Sequence, residues 1–193
     1  DSGVTVFAET PTDIARIRST GKSTALGNRH WPHTPKAARP HSVPITVRGT
    51  DMQLSLGPLQ YFWSRERTLA FYRNAATWPL DRIHLGETVC SKRRELATRD
   101  WVALADELAA SGKQIVLSTL ALIEAESELG ALRRIVENGR FLVEANDLSA
   151  VQYCRQRGLP FVAGPTLNIY SAQALSLLIE DGLQRWVAGV EQG

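Results

Sequence analysis

The stretch from Gly112-Lys113-Gln114-Ile115-Val116-Leu117-Ser118 to Gly139-Arg140-Phe141-Leu142-Val143-Glu144 decides the fold. It opens with a short apolar run. A helical segment follows over residues 123–138, in which Leu129, Leu132, Ile135 and Val136 recur at helical spacing. Gly139 stands where a left-handed C-cap belongs, and a second apolar run comes directly after it. That pattern reads as strand, helix, strand.

The same unit repeats on either side. Apolar runs bounded by turn signals predict strands at residues 53–56, 82–85, 114–118, 140–144, 160–163 and 185–190. Between them, helices are predicted at 65–76, 101–111, 123–138, 148–157 and 171–180. Gly112, Gly158 and Gly182 repeat the role of Gly139. Strands alternating with helices make βα units, a parallel sheet and an α/β fold. The residues leave two architectures open, an open doubly wound sheet and part of a (β/α)8 barrel. Both place function at the carboxyl ends of the strands. Those ends carry Glu87 and Cys90, Ser118 and Thr119, Glu144 and Asn146, Gly164 and Asn168, and Glu191.

The composition changes near residue 50. Residues 1–50 hold five of the nine prolines and three of the four histidines, without sustained periodicity, so they read as a disordered or foreign tail. A short helix over residues 11–19, capped by Thr10, is the one element expected there. Met52, the only methionine, stands directly before the first strand, so it reads as the natural start with residues 1–51 as upstream sequence. Those first 50 residues carry seven Lys/Arg against three Asp/Glu, which leaves a mildly acidic body, unlike a nucleic-acid groove. Two cysteines make no disulfide framework, which favours the cytosol. No apolar stretch approaches the ~20 residues that span a bilayer, and the first residues lack a signal-peptide core.

Cys90 is the leading chemical candidate. It sits in Leu85-Gly86-Glu87-Thr88-Val89-Cys90-Ser91-Lys92-Arg93-Arg94, where a strand-to-helix turn and three basic side chains would both favour the thiolate. Cys154 falls in a predicted helix beside Val151 and reads as packing. Glu144-Ala145-Asn146-Asp147 has two readings: a helix cap by Asn146 or Asp147, and a polar group aimed into the barrel mouth. His84 alternates within a strand and reads as packed. Gly164-Pro165-Thr166-Leu167-Asn168-Ile169-Tyr170-Ser171 is a long turn with Ser171 as helix cap or as part of a functional loop. Gly21-Lys22-Ser23-Thr24 ends like a phosphate loop, but Arg16 stands where that motif needs glycine. His30, His33 and His41 read as scattered tail histidines. No Ser/His/Asp arrangement, CxxC pair or HExxH stands out.

Four stretches together carry a resemblance. They are Ser55-Leu56-Gly57-Pro58, the Leu85–Arg94 segment quoted above, Gly112-Lys113-Gln114-Ile115-Val116-Leu117-Ser118-Thr119-Leu120-Ala121-Leu122, and Leu159-Pro160-Phe161-Val162-Ala163-Gly164 running on to Leu167-Asn168. The chain resembles the collagenase-like peptidase family over residues 52–187, and within it the branch that serves oxygen-independent ubiquinone biosynthesis. The resemblance implies a partial TIM-like (β/α) barrel over residues 52–193. It implies a 4Fe-4S cluster held by four cysteines, with Cys90 matching the first. It also implies a sister protein of the same family as heterodimer partner, a ubiquinone precursor as substrate, and a lipid-binding helper. Peptidase activity and RNA-base hydroxylation are the alternatives that relatives suggest, and a non-functional remnant is a fourth.

The family's other three ligands lie beyond the matched stretch, so the chain reads as an N-terminal half. A barrel cut after its sixth strand is expected to expose a strand edge and apolar faces, giving marginal stability or association. A sharp urea transition with a slope full-sized for residues 52–193 counts against that expectation.

Overall fold

The computed structural model describes residues 6–9 and 53–191, all within one compact unit. The chain begins there with β1 (Val6–Glu9), a strand the proline-rich composition of this region did not suggest. Apart from those four residues, the tail reading, the helix at 11–19, the Lys22 loop and the three tail histidines lie outside the described residues. From residue 53 the elements alternate: β2 (Gln53–Leu56), α1 (Arg65–Ala75), β3 (Arg82–Leu85), α2 (Thr98–Ala109), β4 (Gln114–Ser118), α3 (Glu126–Val136) and β5 (Leu142–Ala145). Then come α4 (Leu148–Gln156), β6 (Phe161–Ala163), a 3₁₀ turn (Pro165–Leu167), α5 (Ala172–Glu180) and β7 (Leu183–Trp186).

Caps set the helix starts. Ser64 Oγ accepts from Arg67 N, Asp147 Oδ1 from Ser149 N at 2.7 Å, and Ser171 Oγ from Ala174 N at 3.2 Å. Asp100 Oδ2 and Glu128 Oε2 reach back to Ala97 N and Ala125 N, closing the first turns of α2 and α3. The glycines that follow α2 to α5 all take positive φ.

The strands lie in sequence order, β1 to β7, with β1 antiparallel to β2 and every later pair parallel. A doubly wound sheet needs a reversal of strand order, and there is none among the described strands. With crossovers of one hand, unreversed order puts the helices on one face. The six parallel strands therefore curl into a half-barrel, as the partial-barrel expectation has it.

Alternation sorts the residues between the two faces. Ile83, Leu85, Ile115 and Leu117 join Tyr72 and Ala75 of α1 and Trp101, Leu104 and Leu108 of α2 in the main core. The residues between them, Arg82, His84, Val116 and Ser118, turn to the inner face. Val116, Val162 and Val187 form a second, inner cluster with Leu142. Below it Arg82 donates to Gln114 Oε1 at 2.9 Å and to Gln53 Oε1, and Arg185 donates to the same Gln114 oxygen at 3.0 Å. The Tyr72 hydroxyl ties α1 to the sheet, donating to His84 O and accepting from Leu59 N, each at 3.3 Å.

Several boundaries differ from the sequence reading: α2 starts at Thr98 instead of residue 101, and α3 spans Glu126–Val136 instead of 123–138. β5 starts at Leu142 instead of residue 140, because Asn138 Oδ1 accepts from Arg140 N and Phe141 N and holds them in a turn. β7 spans Leu183–Trp186, and the apolar run to residue 190 is not its continuation. A register shift lets Leu183 pair with Phe161 and Arg185 with Val162. Val187 then leaves the strand for the inner cluster. Among the described residues, no helix is long and apolar enough to cross a membrane.

Gly86 brings β3 against β4: a Cβ there would stand 2.2 Å from the Ser118 carbonyl oxygen. Gly86→Ala is expected to lower the urea midpoint by the equivalent of ~2 kcal/mol or more. Gly130→Ala, in mid-helix with Arg134 Nη1 at 3.7 Å, is expected to raise it by ~0.5–1 kcal/mol.

Candidate functional site

Cys90 lies on the long loop between β3 and α2, at the carboxyl end of the sheet, and is partly exposed. Glu87 organises this loop: its Oε1 accepts from Val89 N at 2.9 Å and from Cys90 N at 3.1 Å. Arg93 N donates to Cys90 O at 3.0 Å, closing a turn. The Arg93 guanidinium donates to Gln60 O at 2.8 Å and lies 3.9 Å from Glu87. Ser91 hydrogen-bonds Glu128 and, with the Glu124 and Ala125 amides, holds that carboxyl below its ordinary range. α2 starts only at Thr98, so the turn at Cys90 does not open a helix and the expected helix-terminus field is absent there. The sequence reading placed Cys90 at a tight strand-to-helix turn. The intervening loop needs its own hydrogen bonds, and Glu87 supplies them.

Cys154 is fully buried in α4, as its spacing suggested, and burial pushes its thiol up to about 11 against the opposing pull of Arg157. A four-thiolate cluster needs four cysteines. The chain has two, and no group of three or more metal-ligating side chains gathers among the described residues. The residues present do not by themselves fit the cluster, so no chemical step is derived through it.

The second constellation is interior. His84 and Glu144 alternate onto the inner face from β3 and β5, and each residue is at most 2% exposed. His84 Nδ1 faces Glu144 Oε2 at 3.3 Å. Ser118 Oγ, on the strand between them, donates to the same Glu144 oxygen. Burial alone would push the Glu144 carboxyl up. The attraction of His84, with hydrogen bonds from Ser118 and Asn146, outweighs it and holds the carboxyl below the ordinary 4.5.

Just beyond the strands, Thr119 and Asn146 lock two loops together. Asn146 N donates to Thr119 Oγ1 at 3.0 Å, Asn146 Nδ2 to Thr119 O at 3.1 Å, and Thr166 Oγ1 to Asn146 O at 2.7 Å. Gly164 must lack a side chain, because a Cβ would stand 1.9 Å from Asn146 Oδ1. Both readings of the Glu144–Asp147 segment hold, divided between residues. Asp147 caps α4, while Glu144 faces the barrel interior.

The rim at this end is apolar: Tyr61, Phe62, Val89, Leu122 and Tyr170 stand exposed on the loops that follow the strands. Tyr170 donates its hydroxyl to Glu191, and Asn168 takes a left-handed conformation at the end of the 3₁₀ turn. A small cavity of about 30 Å³ lies among Leu59, Phe62, Trp63, Glu87, Arg93 and Trp101, and the buried Trp101 Nε1 has no hydrogen-bond partner. A larger cavity of about 460 Å³, near Lys113, Gln114, Arg140 and Gln184, lies at the amino ends, the end of barrel folds associated with stability.

His84 is packed inside the sheet, as its alternation within β3 suggested. The signal was the alternation Arg82-Ile83-His84-Leu85, which sets it on the face opposite Ile83 and Leu85. What that face meets, Ser118 and Glu144, depends on strand order. No family model and no solved structure matches the chain. Fold and site together define a (β/α) half-barrel with a buried imidazole–carboxylate pair inside and a partly exposed cysteine on its carboxyl-end rim.

Two outcomes follow from this geometry. Iodoacetamide is expected to modify Cys90 alone in the native chain and both thiols in urea, as read by mass spectrometry; native labelling of Cys154 contradicts the burial. Because the Glu144 carboxyl is depressed on folding, its stabilisation is complete above pH 4.5 and is lost as pH falls through its lower folded value. The stability gap between wild type and Glu144→Gln, ~1–3 kcal/mol at pH 7, should therefore narrow below pH 4.5; a gap independent of pH contradicts the assignment.

Proposed function

We propose that this chain is the N-terminal half-barrel of a UbiV-like member of the collagenase-like peptidase family, serving oxygen-independent ubiquinone biosynthesis. In this reading it supports ring hydroxylation in the cytosol, with a UbiU-like sister protein as heterodimer partner. A lipid-binding helper presents the ubiquinone precursor. Cys90 contributes one thiolate to a 4Fe-4S cluster whose other ligands come from outside residues 1–193.

The position of Cys90 carries the reading. It is a partly exposed thiol on the carboxyl-end rim of a half-barrel, on a loop held by Glu87 and Arg93. A thiol destined for a shared cluster must be reachable from outside its own domain, unlike the buried Cys154. The four matched stretches fall on β2, the loop after β3, β4 and β6. The peptidase reading draws less support. Ser118 donates to Glu144 and not to His84, so the buried trio is not a nucleophile–base pair.

The test is anaerobic co-production with the cysteine-bearing downstream half and the sister protein, followed by iron and sulfide analysis. About four iron and four sulfide per complex are expected, with most of both lost in Cys90→Ser and retained in Cys154→Ser. Full iron content in Cys90→Ser, or none in the wild-type complex, overturns the proposal.

A further inference from the structure

The cavity of about 460 Å³ at the amino ends of the strands lies at the end of the sheet opposite Cys90. Its volume is that of a small-molecule site. Its inner wall is apolar and buried: Ile115 from β4, Val143 from β5 and Val136 from α3 are each at most 4% exposed. Its mouth is open, because Gln114, Arg140 and Gln184 on the lining are exposed. Room, access and an apolar wall are therefore present together.

Charge selects the ligand. Among the described residues that line the cavity, Lys113 and Arg140 are charged and none is acidic. The sheet brings these two together. Val116 pairs with Leu142, and the same register carried two residues back sets Arg140 opposite Gln114, next to Lys113. Arg140 already pairs with Asp106 on the exposed surface. Lys113 Nζ donates to Leu80 O at 3.1 Å, which uses one of its three N–H groups. A fitting ligand has an apolar body for the wall and an anionic head for the mouth. The head stays near water beside the ammonium, so no charge has to be buried.

We infer that this cavity binds a small aliphatic carboxylate, with the chain against Ile115, Val136 and Val143 and the carboxylate at Lys113. The site shares no residue with the Cys90 loop or with the Glu144 layer. It goes beyond the function proposed above and stands or falls separately. Only the folded chain offers the cavity, so occupancy also stabilises the fold.

The probes are octanoate, 1-octanol and acetate, titrated into the full chain by calorimetry. Octanoate is expected to saturate one site, about fivefold more tightly than 1-octanol, and to raise the urea midpoint. Acetate, with the head but almost no body, should give no saturable heat. Lys113→Gln should bring octanoate down to the affinity of 1-octanol and leave 1-octanol unchanged. A merely structural lysine, acting through Leu80 O, would weaken both probes alike. Independently of any variant, nuclear Overhauser contacts in the wild-type chain should join the octanoate methylenes to the methyl groups of Ile115, Val136 and Val143. No saturable octanoate binding, an equal or higher affinity for 1-octanol, saturable acetate binding as tight as octanoate, a preference that survives in Lys113→Gln, equal weakening of both probes in that variant, or contacts confined to other residues overturns the proposal.

Discussion

A parallel sheet whose strands follow one another without reversal has helices on one face only, and this constraint governs the rest of the structure. The outer face is easily satisfied: Ile83, Leu85, Ile115 and Leu117 lie under α1 and α2 in a continuous apolar core. Among the described residues no helix covers the inner face, which satisfies itself by curling. It does so in layers. Arg82, Gln53, Gln114 and Arg185 hydrogen-bond to one another at the amino ends. Valines fill the middle, and the carboxyl ends hold His84, Ser118 and Glu144.

A buried carboxylate is costly unless it is compensated. Glu144 is compensated from one side of the sheet, by Ser118 on the adjacent β4 and by His84 on β3 beyond it. The two glycines in close contact serve the same layer. Gly86 lets β3 approach the Ser118 carbonyl, and Gly164 lets the loop after β6 close over Asn146 and Glu144. Local sequence at these points follows from the packing of the layer.

The cysteines divide along the same lines. Cys154 faces the helix–sheet core and behaves as a small apolar residue. Cys90 rides on a loop whose shape comes from Glu87 accepting two successive amides, with Arg93 reaching across to the loop after β2. The basic run that marked Cys90 in the sequence is thus partly structural.

The sequence by itself determined the alternation of elements. Apolar runs of four or five residues, helical spacing such as Leu129 to Val136, and a glycine after each later helix are local signals. Local signals survive without knowledge of what packs against them. It also marked Glu144-Ala145-Asn146-Asp147 as a segment open to two readings, a helix cap by Asn146 or Asp147 and a polar group aimed into the barrel mouth, though not which residue took which. Only the tertiary structure decided that division, the absence of a strand reversal, the early end of β7, and the meeting of His84 with Glu144 across an intervening strand. Those depend on register and strand order, which set contacts between residues tens of positions apart, and a pattern that repeats every two residues says which face a side chain joins but not whom it meets there.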